Sequence, residues 1–75
     1  MYVEFESDDR SFNSHYWPSE LPFIPRTGEF ITAWCDQCNE TRPVESVTYD
    51  SYFSDGGTVW YPTIKLGEIV KERTY

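Results

Sequence analysis

The residues with the greatest chemical reach are Cys35 and Cys38, which follow Trp34 in the run Trp34-Cys35-Asp36-Gln37-Cys38. Thiols at this spacing can serve dithiol–disulfide exchange or hold a metal. Exchange needs a thiolate, which forms where a helix N-terminus or a cationic neighbour lowers the thiol pKa. Here the pair closes a strand-like segment and is flanked by the negative charges of Asp36 and Glu40, so redox catalysis is disfavoured. A structural zinc needs a tetrahedral ligand set. The chain supplies Cys35, Cys38 and a single histidine, His15, twenty residues upstream. A site must therefore add a carboxylate such as Asp36 or bring two Cys pairs together in a homodimer. That zinc domain is the alternative reading. The main reading assigns no cofactor, with Cys35 as a small buried hydrophobe.

The remaining side chains give catalysis little to work with. His15 falls in a polar loop and reads as solvent-facing. The carboxylate pairs Glu4/Glu6 and Asp8/Asp9 lie on an exposed strand face and a turn, where they keep ordinary pKa values, whereas a general acid needs burial. No Gly-rich phosphate cradle is present. The chain is expected to be non-enzymatic.

Composition points elsewhere. Thirteen acidic residues against six basic ones give a net charge of −7. Binding to a phosphate backbone relies on Lys and Arg to displace counterions, so direct nucleic-acid binding is not expected, and a weak single-strand binder using stacked rings is a third reading. The negative field favours a basic protein partner. Aromatic residues are 19% of the chain, five Phe, three Trp and six Tyr. That load argues against disorder and exceeds what one small core can hold, so some rings are expected on the surface. No apolar run approaches the about 20 residues that span a bilayer, and the N-terminal residues lack a secretory pattern. A cytoplasmic protein with reduced thiols and no membrane partner is expected.

The elements that must position these groups are strands. One domain over residues 1–75 is expected. Residues 1–7 alternate, with Val3 and Phe5 on one face and Tyr2, Glu4 and Glu6 on the other, which predicts a half-buried strand. Phe12 to Pro22 is an irregular aromatic loop. Thr27-Gly28 is a turn that launches a second strand over Glu29–Cys35, with Phe30, Thr32 and Trp34 sharing one face. Asp36 to Arg42 reads as a polar connector. A third strand is predicted over Pro43–Tyr52, with its alternation slipping between Val44 and Val47 as at a bulge. Ser54-Asp55-Gly56-Gly57 reads as a hairpin turn. Thr58–Leu66 is a fourth strand in which Pro62 implies an edge or a kink. Gly67–Glu72 reads as a short fifth strand or a helical turn. The fold class is all-β, a small SH3-like or OB-like barrel of four to five antiparallel strands with one long aromatic loop.

The succession of an acidic first strand, Leu21-Pro22-Phe23-Ile24-Pro25-Arg26-Thr27-Gly28-Glu29, the Val-rich Pro43-Val44-Glu45-Ser46-Val47-Thr48-Tyr49 and a strand after Asp55-Gly56-Gly57 resembles small uncharacterised proteins of bacteria and their phages that carry a Pro-Arg-x-Gly-Glu turn. The resemblance implies an SH3-like barrel and no activity. The aromatic loop and the cysteine-bearing connector depart from it.

The function expected is therefore an acidic protein-binding module of a phage or mobile element, with mimicry of nucleic acid or inhibition of a host protein as its specific form. The expected contact residues are Tyr16 and Trp17 on the loop and Tyr52 and Phe53 near the hairpin. Around them runs an acidic rim of Glu4, Glu6, Asp8, Asp9, Asp50 and Asp55.

Overall fold

The computed structural model of the chain describes residues 1–13, 15, 17–34 and 38–74, with side chains described for all of these but 38 and 71–74. The protein is all-β. Its strands are β1 (Glu4–Ser7), β2 (Phe30–Trp34), β3 (Cys38–Ser54), β4 (Gly57–Leu66) and β5 (Lys71–Thr74). They form a mixed sheet in the order β1-β4-β3-β2, with β5 joining β3.

The sheet is organised by β3, which is 17 residues long and changes partners along its length. Its first part pairs with β2 on one side (Trp34 opposite Asn39, Ile31 opposite Arg42) and with β5 on the other (Glu40 opposite Glu72). Its second part pairs with β4, from Val44 opposite Leu66 to Ser54 opposite Gly57. The register shifts between Val44 and Ser46, so the bulge expected from the broken alternation is present, with Glu45 as the extra residue.

Two features correct the expected barrel. The β1 strand pairs with β4 in parallel, Glu4 opposite Thr63 through Ser7 opposite Leu66, so the strands are not all antiparallel. The sheet also stays open, because no ladder among the described residues joins β1 to β2. The loop between β1 and β2 does the covering that a closing strand would have done. Phe12, Trp17 and Leu21 from this loop pack on the buried cluster of Val3, Ala33, Val44, Ile64 and Leu66. Backbone bonds from Val3 N to Ser19 O (2.9 Å) and Leu21 N to Met1 O (3.0 Å) lay the loop against the start of the chain.

Turn chemistry fixes the connections. Gly28 has φ +93°, a conformation that glycine reaches without steric cost. Its N–H bonds to Val44 O at 2.9 Å, and Val44 N returns a bond to Glu29 O at 2.8 Å, which aims the chain into β2. At the hairpin the positive φ (+112°) falls on Gly57 and not on Gly56. Pro62 introduces no break: the β1 ladder begins at Thr63, one residue beyond it, so the proline sits where β4 has only β3 as a neighbour. The fifth strand is real but starts later than expected, at Lys71, with Gly67–Val70 as a connector held by Gly67 N to Pro43 O and Val70 N to Thr41 O, each 2.9 Å. The connector predicted over Asp36–Arg42 is in fact strand from Cys38 onward.

The molecule measures 45 × 25 × 24 Å. The long axis reflects the β3–β4 hairpin, whose outer half runs past β1, β2 and the buried cluster. Among the described residues no helix is long and apolar enough to cross a membrane. Ile64 is fully buried at the centre of the sheet. Ile64→Ala is expected to cost about 2–5 kcal/mol, a large share of the several kcal/mol that hold so small a domain together. Chemical denaturation followed by circular dichroism checks this, and a loss below about 1 kcal/mol would mean the core lies elsewhere.

Candidate functional site

Two regions collect the chemistry-bearing residues. The first is internal and centres on Arg42, whose side chain is 0% exposed. Arg42 lies on the inward face of β3, between Glu40 and Val44. Its Nη1 donates to Asp9 Oδ2 (2.9 Å) and to the Gly67 carbonyl (2.9 Å), its Nη2 to Ser11 Oγ (3.2 Å) and its Nε to Glu40 Oε1 (3.0 Å). The Phe12 ring stacks over the guanidinium, 5.4 Å from ring centre to Cζ. The indole of Trp17 donates to the same Glu40 Oε1 at 3.3 Å and stacks on Phe12 with ring centres 6.0 Å apart. The geometry is that of a satisfied buried cation: a guanidinium has five donors and no acceptor, and here they reach two carboxylates, a hydroxyl and a carbonyl.

Asp9 is prepared for this role locally. Its Oδ1 accepts from the Ser11 N–H and the Ser11 hydroxyl, both at 3.0 Å, which shapes the turn after β1. These bonds, led by the Ser11 N–H and joined by Arg42, hold the Asp9 carboxyl below its ordinary value.

Several expected contact residues therefore change role. Trp17 is 7% exposed and belongs to the core, not to a partner surface. Asp9 is an internal counter-ion and not part of an acidic rim. Asp8 is exposed, and its carboxylate pairs with Lys65 Nζ at 2.8 Å. The hydrogen bond to Asp8, and then its charge, raises the Lys65 pKa. His15 is exposed as expected. Tyr16, Cys35 and Asp36 lie outside the described residues, as does the side chain of Cys38, so the zinc alternative meets no geometry here. No group of three or more metal-ligating side chains occurs among the described residues.

The second region is the outer half of the β3–β4 hairpin and the sheet face beneath it. Phe53 is 84% exposed and Trp60 67%, and Tyr49, Tyr52 and Val59 are exposed with them. Register divides them. Tyr49, Phe53 and Trp60 continue the face that carries the core, while Tyr52, Val59 and Tyr61 lie on the opposite face. On that opposite face Tyr2 meets Tyr61 edge-on, with ring centres 5.7 Å apart at 70°, and Tyr61 meets Tyr52 at 6.1 Å and 51°. Glu4 and Asp50 stand beside the rings. Glu4 Oε1 accepts from the Tyr2 hydroxyl at 2.7 Å, and an Asp50 oxygen accepts from Thr63 Oγ1. The Tyr2 phenol is pushed above its ordinary pKa, first by its bond to Glu4. Tyr61 is raised by burial and then by the charges of Glu4 and Asp50. Glu6 and Asp55 are exposed.

Of the expected contact residues, the structure thus brings Tyr52, Glu4 and Asp50 together on one face. Phe53 is exposed on the other face of the hairpin, near its tip. Phe23, Phe30 and Trp34 are exposed as well, at the other end of the sheet. The alternation of β2 carried the signal for Phe30 and Trp34. Arg42 carried none, since a lone arginine in a polar stretch reads as surface. Compared with protein-family models, with curated proteins and with solved structures, the chain finds no match.

Removing one partner of a buried ion pair leaves a charge uncompensated, at a cost of about 3–5 kcal/mol. Arg42→Ala is expected to lose stability on that scale and to free the loop over 9–17, read as amide exchange of Ser11 and Phe12. Asp9 also gives a pH signature. Its folded pKa lies below its unfolded one, so its stabilisation is complete above the unfolded value of about 3.9 and is lost as pH falls through the folded value. Asp9→Asn is expected to be less stable than wild type at pH 7, with the gap closing below about pH 4. A gap that stays constant through acid unfolding would remove Asp9 from this role.

Proposed function

We propose that the protein is a non-enzymatic binding module that recognises a basic protein partner through the protruding aromatic hairpin. The observation that carries this reading is the exposure of Phe53 and Trp60 on a hairpin that extends past the core, in a chain of net charge −7. An exposed ring on a small domain adds nothing to its core, while large aromatic side chains dominate the energetics of protein interfaces. The acidic field sets the sign of the partner and speeds encounter.

The geometry suits contact on either face. Tyr49, Phe53 and Trp60 offer an apolar strip, and the opposite face offers hydroxyls and carboxylates. The outer half of β3 has β4 on one side and no described strand on the other, so its backbone can also accept an added strand. Pairing at an open edge is ordinarily discouraged by lysine or proline. The stretch Ser46–Ser54 contains neither.

Affinity capture tests the reading. Immobilised protein is expected to retain basic proteins from a lysate at low salt and release them as ionic strength rises. The double variant Phe53→Ala/Trp60→Ala is expected to bind the captured partner at least about fivefold more weakly, an ordinary loss for truncated hot-spot rings, while melting like wild type. Retention indifferent to salt, or undiminished in the double variant, would overturn the proposal.

A further inference from the structure

Resting on that reading, we infer that Tyr2, Tyr52 and Tyr61, flanked by Glu4 and Asp50, form a receptor for an arginine side chain of the basic partner. Tyr61 and Tyr52 come from the neighbouring strands β4 and β3, and Tyr2 from the residues that lead into β1, so the three form a row on the face turned from the core. Tyr61 is in the middle. Asp50 is directly opposite it on β3, and Glu4 lies on the β1 side, opposite Thr63. The central ring therefore has a carboxylate on each side, and both charges act on its phenol.

This arrangement answers what a guanidinium needs. Its faces are apolar and weakly hydrated and stack on aromatic rings, and its edge presents a fork of donors that fits a carboxylate. A ring attracts a cation over its face because of its quadrupole. The rings are not coplanar: the 70° and 51° tilts set their faces at an angle to one another. An ammonium would meet the same charge but gains less from flat surfaces and fixed forks. Two of the protein's own cations are engaged elsewhere. Lys65, on the same face of β4, is held by Asp8, and Arg42 is buried on the opposite face. Each carboxylate has one oxygen engaged within the sheet, Glu4 by Tyr2 and Asp50 by Thr63, which fixes its position before the partner arrives.

The internal use of the same motif supports the assignment. Around Arg42 the chain surrounds a guanidinium with the Phe12 ring and the Asp9 and Glu40 carboxylates. The outer face likewise sets aromatic rings beside two carboxylates.

Two labelled peptides of equal length and charge, one arginine-rich and one lysine-rich, test this by fluorescence anisotropy at physiological salt. The wild-type protein is expected to bind the arginine peptide more tightly. Tyr52→Ala and Glu4→Gln are each expected to weaken that binding by about two- to fivefold, the size of a cation–π contact and of an ion pair at an exposed site. Tyr52→Phe keeps the ring and is expected to bind like wild type. Glu68→Gln removes the same charge beside the Gly67 connector and is expected to have no effect. Equal affinity for the two peptides, full binding by Tyr52→Ala, or a loss in Glu68→Gln matching that in Glu4→Gln would each overturn the inference, and so would wild-type protein that binds neither peptide. Partners captured in a salt-sensitive way that are indifferent to Tyr52→Ala and Glu4→Gln would remove this receptor and leave the hairpin reading standing. Salt-insensitive capture would remove that reading by itself.

Discussion

The buried guanidinium of Arg42 is the constraint around which the base of the molecule is arranged. A charge removed from water is tolerable only if its donors are met and its field is balanced. Meeting that condition recruits residues far apart in sequence: Asp9 and Ser11 from the turn after β1, Glu40 from the same strand, and the Gly67 carbonyl from the connector to β5. Each partner is thereby fixed, and with it the segment that carries it. The loop between β1 and β2 would otherwise be a long irregular stretch on an open sheet. Tied to Arg42 by Asp9 and Ser11, and to Glu40 by the Trp17 indole, it becomes the second layer of the core. An open mixed sheet can then do without the closure that a barrel would provide.

The same arrangement explains the division of the aromatic residues. Phe5, Phe12 and Trp17 stack together at the base, with Phe5 and Trp17 ring centres 5.3 Å apart, and shield the ionic cluster from water. Shielding strengthens each charged hydrogen bond by lowering the local dielectric. The tyrosines and the rings of the hairpin tip shield nothing buried. A two-stranded ribbon is marginal by itself in water, and this one is anchored because β3 and β4 continue without interruption into the packed base. Rows such as Tyr2–Tyr61–Tyr52 add cross-strand contacts that stiffen the ribbon's lower part.

Much of the strand layout was legible in the sequence because it depends on local rules. The alternation of residues 1–7, the Thr27-Gly28 turn, the Asp55-Gly56-Gly57 hairpin and the bulge after Val44 follow from side-chain period and from glycine's conformational range. What was not legible depends on the ionic cluster. Cys38–Arg42 reads as a connector because its inward positions carry Glu40 and Arg42 where an ordinary strand would carry apolar groups. Trp17 reads as a surface ring because the groups that enclose it, Glu40 as acceptor 23 residues away and the core cluster, are distant in sequence. The parallel pairing of β1 with β4, and hence the open sheet, follows from where the loop is held, and no local pattern encodes that. Of the binding face, the roles of Tyr52, Glu4 and Asp50 could be sensed from exposure and charge. Their convergence with Tyr2 and Tyr61 needed the register.

Charge ties the base to the proposed binding face. Arg42 is neutralised inside by Asp9 and Glu40, and Lys65 is paired outside by Asp8. These two cations are thus held by partners other than Glu4 and Asp50. Had Arg42 lain on the surface, its charge would have been mobile and available to any neighbouring carboxylate, Glu4 and Asp50 included. Buried, it is fixed at one point and its compensation by Asp9 and Glu40 is local. An acidic protein of this size can stay compact with few cations because one of them is spent at the centre, where a single guanidinium orders a loop, two carboxylates and a carbonyl at once.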